Sequence, residues 1–238
     1  MPMTNRFTTA LTLALSLAGP AAAGTLDVTV TDRDGQPAAD VVVLLNVVGY
    51  GSTKPAPAPV VIAQQDLRFQ PFLTVVPVGS TLRFVNNDSY DHHVRTVPSG
   101  PLGSMAAVES FELRLDASKA PPRSYGGSDD YTYKPAAPSK KSGTSTADIK
   151  VDHAGPFGLG CHIHGSMRGQ VYVSASPFFA KTDAKGHAQI EGVPDGTAEL
   201  VVWHPDQLSD QPPQKLEMTS AGAKAEAKLN FTPRRRRG

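Results

Sequence analysis

The chain has 238 residues and is nearly neutral, with 23 Lys and Arg against 22 Asp and Glu. Setting aside Arg6 and the terminal Arg234–Arg237 run leaves 18 basic against 22 acidic residues, a balance that argues against nucleic acid as a partner. A single cysteine, Cys161, excludes an intrachain disulfide, so the fold must rest on its hydrophobic core.

Residues 1–23 carry one charge, Arg6, then the apolar run Leu11–Leu17, Gly19-Pro20 and Ala21-Ala22-Ala23. This pattern predicts a secretory signal peptide cleaved near Ala23, and hence a periplasmic or secreted protein. The apolar run is shorter than the roughly 20 residues a membrane anchor requires. No cysteine for a lipid anchor stands at the cleavage site.

No stretch reads as a helix. Short alternating or β-branched runs recur instead, at Leu26–Val30, Thr81–Val85, Glu109–Leu115, Gln170–Val173 and Glu199–Trp203, punctuated by 21 Gly and 21 Pro. Strands at this spacing predict an all-β protein built as a sandwich or barrel. Residues 51–59 (GSTKPAPAP) read as a linker. Residues 117–146 read as a polar, Pro/Gly/Ser/Lys-rich insertion between strands. His187 and His204 read as surface residues, and Arg234–Arg237 as a solubilising tail.

The two ends of the chain look like halves of one module. Val30, Asp32, Gly35 and Pro37 form a strand-to-turn start, and Thr182, Asp183, Gly186, Ile190, Val193, Pro194 and Gly196 form a hairpin. Together they resemble the carboxypeptidase regulatory-like module, a small transthyretin-like sandwich. The resemblance implies a structural or docking role, with a second domain inserted. The division is then 24–62 for the first half and linker, 63–176 for the inserted domain, 177–233 for the second half and 234–238 for the basic tail.

Within the inserted part, a strand pair ends at Asn86-Asn87-Asp88 and is followed by His92-His93. Far downstream comes Cys161-His162-Ile163-His164-Gly165-Ser166-Met167, just before a strand. Loops cluster at the ends of a sandwich, so these pieces can meet. Cys161 and His164, one upstream His and the Met167 thioether would make a trigonal set with an axial ligand. That set suits copper cycling between two oxidation states. Copper would also protect an otherwise free exported thiol.

These residues are similar to those of the cupredoxins, the blue-copper family of plastocyanin, pseudoazurin and amicyanin. The upstream pattern V-x-x-G-x-x-x-x-F-x-N is matched by Val76, Gly79, Phe84 and Asn86, and C-x-x-H-x-x-M by Cys161, His164 and Met167. The resemblance implies a Greek-key β-sandwich and one type 1 copper ion held by His92, Cys161, His164 and Met167. It further implies one-electron transfer with a redox protein partner, without catalysis. The pairing with regulatory-like segments also resembles a group of exported cupredoxins labelled "methylamine utilization proteins". The family usually has Asn after the first copper His; here His93 stands there, so either His92 or His93 fits, and spacing favours His92. His162 reads as a rim residue or an electron-exit residue. Two other functions are compatible with the same residues: a copper or zinc store or chaperone, and a cell-envelope interaction module with structural copper.

Overall fold

The structure, a computed structural model, describes residues 23–51, 53–103, 105–118 and 144–234. Residues 1–22, which hold all but the last residue of the expected signal peptide 1–23, lie outside the described residues, as do the centre of the 117–146 insertion and residues 235–238. What is described is all-β, with one short 3-10 turn at Pro101–Gly103.

Sixteen strands are described: β1 (Ala23–Thr31), β2 (Val42–Val47), β3 (Val60–Gln65), β4 (Arg68–Gln70), β5 (Leu73–Pro77), β6 (Thr81–Asn86), β7 (His92–Val97) and β8 (Glu112–Leu115) lead to β9 (Thr146–Lys150), β10 (Gly155–Gly160), β11 (Arg168–Ser174), β12 (Phe178–Lys181), β13 (His187–Pro194), β14 (Gly196–Trp203), β15 (Gln214–Met218) and β16 (Ala223–Lys228). They form four sheets, in the orders β13-β1-β16, β12-β2-β14-β15, β4-β3-β6-β9 and β5-β11-β10-β7-β8. Strands from both ends of the chain thus share the first two sheets, and residues 60–174 supply the other two.

Each pair of sheets closes on its own core. Period-two alternation in β1 sends Leu26, Val28 and Val30 inward, where they meet Val43, Leu45, Ile190 and Leu200. In the second sandwich Ile62, Leu82 and Phe84 meet Val94, Phe157, Leu159 and Val171. The run Val42–Leu45 is apolar without alternation because both faces of β2 are covered there. Val43 and Leu45 enter the first core, while Val42 and Leu44 pack with Leu73 and Trp203 in a seam between the sandwiches. Tyr172 of β11 faces Trp203 across that seam, ring centroids 5.1 Å apart. Burial there, with the nearby Asp210 charge, pushes the Tyr172 phenol up to about 12.

Some local expectations change. Strand structure begins only at Glu112, because the Glu109 carboxylate turns aside to accept the backbone N–H groups of Asp152 and His153 at 2.8 and 2.9 Å. The stretch 117–146 yields its last residue to β9. His204 is not a surface residue: it is 1% exposed, its Nδ1 accepts the Asp206 N–H at 3.0 Å and its ring lies against Phe231. His187 is exposed. Arg234 is tied down, its guanidinium and backbone N–H both donating to Asp206.

Candidate metal centre

The second sandwich brings two loops together at one end. The first leaves β6 at Asn86, a wholly buried side chain whose amide donates to the carbonyls of Tyr90 and Asp116 at 2.8 and 3.0 Å. Its carbonyl oxygen accepts the Asp88 N–H at 2.9 Å. This closes the loop and delivers the chain to β7 at His92. Strand alternation then turns His92 and Val94 inward and His93 and Arg95 outward.

The second loop, residues 161–167, spans β10 and β11, whose pairing runs to Gly160↔Arg168 at its base. A tight turn, Met167 N–H to the His164 carbonyl at 2.9 Å, folds it back. Cys161 is 2% exposed and Met167 1%, both within the second sandwich's core cluster.

His92, Cys161 and His164 converge. Their ligand atoms lie within 4.8 Å of one another, a group that could hold a metal ion. The two Nδ1 atoms are 3.2 Å apart, and Cys161 Sγ stands 4.0 Å from His92 Nδ1 and 3.8 Å from His164 Nδ1. Bonds of about 2.0 Å to nitrogen and about 2.3 Å to sulfur would set donors around one ion roughly 3 to 4 Å apart. The donor set therefore fits a thiophilic, imidazole-binding metal in spacing and in chemistry.

Supporting contacts fix which atoms are presented. His92 Nε2 lies 2.8 Å from Asp88 Oδ2, both groups buried, so the imidazole turns Nδ1 toward Cys161. Burial pushes the Asp88 carboxyl up, but bonds from His92 and from the Asp66 and Leu67 N–H groups outweigh it and leave its pKa lowered. His164 sits below the ordinary histidine range, through desolvation first and then the neighbouring His92 charge, with Asp88 opposing. A neutral imidazole is the form that ligates. The His93 backbone N–H points at Cys161 Sγ at 3.4 Å. The Tyr90 ring stands edge-on to both His92 and His164, with centroids 5.2 and 5.4 Å away.

His93 and His162 lie apart from this group. His93 Nδ1 is 3.5 Å from Glu112 Oε1 and His162 Nε2 is 3.0 Å from the same oxygen. Asp88 and Tyr90 escape a motif reading; the only sequence signal for Asp88 is a carboxylate four residues before a histidine.

No protein-family model matches the chain, and no curated protein matches it. Solved structures give weak likenesses. A Cu-containing nitrite reductase (NirK) from Thermus scotoductus SA-01 is 19% identical at a TM-score of 0.34, over 54% of this chain and 25% of that one. Amicyanin from Paracoccus versutus is 18% identical at 0.30, over 55% of this chain and 97% of that one. A purple cupredoxin from Nitrosopumilus maritimus is 16% identical at 0.32, over 49% of this chain and 99% of that one. The chain spans a quarter of the length of the nitrite reductase.

Proposed function

We propose that this chain is an exported type 1 copper protein that carries single electrons between protein partners and is not an enzyme. The observation that carries this reading is the convergence of two imidazole nitrogens and one thiol sulfur just beneath the surface, with His92 and Cys161 0% and 2% exposed. Copper, when bound, would supply a one-electron couple. His92, Cys161 and His164 would hold it, together with Met167, which is buried in the same core.

Burial of the ligands supports a carrier over a catalyst. A substrate must touch the metal, whereas an electron need only reach its ligands. Only His164 among the four is partly exposed, and Ile163 beside it is 52% exposed and Tyr90 39%. This apolar rim is the proposed contact face for a redox protein. Export rests on the signal-like residues 1–23.

The deciding experiment is addition of Cu(II) to metal-free protein. The expected result is an intense visible thiolate-to-copper band, abolished by Cys161→Ser and kept, at a raised potential, in Met167→Leu. Zinc displacing copper, or copper binding without colour, would refute the carrier and favour a metal store. Bleaching by His93→Ala but not by His92→Ala would refute the ligand choice.

A further inference from the structure

We propose a second metal site at the rim of the first, formed by His93, Glu112 and His162, that takes a divalent late transition-metal ion such as zinc or copper. His93 and Glu112 come from adjacent strands, and His162 from the ligand loop. Pairing of β7 with β8 sets Arg95 opposite Glu112 and His92 opposite Leu115, which puts His93 and Glu112 on the outward side of the sheet. Both imidazoles close on one carboxylate oxygen, His162 Nε2 at 3.0 Å and His93 Nδ1 at 3.5 Å from Glu112 Oε1.

The His162 spacing is what shared coordination requires, and the His93 spacing lies just beyond it. Ligand bonds of about 2.0–2.2 Å put neighbouring donors roughly 3 to 3.4 Å apart. The two rings stand with centroids 5.8 Å apart at 84°. Binding one ion would turn the half-exposed His162 toward His93. Two imidazoles and a carboxylate favour zinc, copper, nickel or iron over magnesium or calcium.

A second observation points to a ligand. His93 Nδ1 is shielded from solvent and makes no hydrogen bond. A buried polar atom left unpaired is costly, and a bound cation would satisfy it. Glu112 is free to ligate: among the described residues it is ion-paired to no Arg or Lys. Arg114, opposite His93 in the register, is engaged by Asp91 and Asp116.

The test counts metal on the full-length protein. After one equivalent of copper is loaded, zinc is titrated and bound metal measured by equilibrium dialysis with elemental analysis. Wild type should retain one zinc beyond the copper. Glu112→Gln and His162→Ala should each bind that zinc at least about 100-fold more weakly, more than loss of an outer partner costs, and Glu112→Gln should leave the copper colour unchanged. No zinc beyond copper in wild type, or equal retention in both variants, would overturn the proposal and reduce the cluster to a His–Glu–His ion pair. The outcome is separable from the copper reading: without colour at the deeper site, the zinc count still falls by one between wild type and Glu112→Gln.

Discussion

Replacing Asp88 by Asn tests whether the buried centre is held from behind as the geometry indicates. The Asp88 carboxylate serves His92 Nε2 at 2.8 Å, the Asp66 N–H at 2.9 Å and the Leu67 N–H at 3.4 Å. Asn keeps the volume but offers one acceptor oxygen, so either His92 or the 66–67 turn loses its partner. A hydrogen bond to a charged group contributes about 1.5–3 kcal/mol. At about 1.4 kcal/mol per tenfold that is roughly 10- to 150-fold in affinity, in line with the 10–100-fold typical of partners behind a ligating histidine. Competition for Cu(I) and Cu(II) against a chromogenic chelator measures it, with the unfolding midpoint of the metal-free protein separating a loosened ligand from a loosened fold. Copper affinity within about twofold of wild type would refute the idea that Asp88 orients His92.

Other predictions follow from packing and charge. Leu73→Ala opens the seam at a residue 1% exposed and should cost about 2–5 kcal/mol, read by denaturation followed through Trp203, the only tryptophan. Gly186→Ala should cost about 2 kcal/mol or more, since φ is +74° and a Cβ would run into the Val30 carbonyl oxygen; an unchanged melting point would contradict it. Burial pushes the Asp206 carboxyl up, but hydrogen bonds from Arg234 overcome this and leave its pKa lowered. Its stabilisation is therefore complete above the unfolded value near 4 and lost as pH falls through the folded value; Arg234→Ala should flatten that acid limb. Tyr172, raised to about 12, destabilises the fold as pH climbs from about 10 to that value, and absorbance titration should find one phenol ionising about two units late.

How much was legible in the sequence depends on whether local pattern or tertiary packing decides the outcome. Alternation in Leu26–Val30 and Thr81–Val85 was enough to read all-β structure, because every second residue enters a core. The same alternation in β7 turns His93 and Arg95 outward. The spacing of Cys161 and His164 was equally legible, since both sit on one short loop closed by paired strands. His204 was misread because it follows β14 and looks like a strand-end polar residue. Only the folded chain shows Phe231 covering its ring. Glu109 carried a strand-like pattern, but its carboxylate found backbone donors 43 and 44 residues away. Asp88 was illegible for the same reason: its role exists only once Asn86 has closed the loop that brings its oxygen to His92.

The rigidity that the proposed one-electron carrier would need traces to β11. Its first residue, Arg168, closes the ligand loop against Gly160, and its core face, Val171 and Val173, lies in the cluster that holds Cys161 and Met167. Its other face carries Tyr172 into the seam against Trp203, while its edge pairs in parallel with β5 from Gln170↔Leu73 onward. Gly169 admits Phe69 so closely that an added Cβ would stand 2.9 Å from the Phe69 Cβ. A strand fixed on both faces and both edges leaves its preceding loop few ways to move. A metal held there would change charge with little rearrangement of its ligands, because the interior around them is close-packed and does not deform continuously. The split first sandwich thereby acquires a mechanical part in the site: by covering the far face of the sheet that bears the ligand loop, it stiffens a centre to which it contributes no ligand.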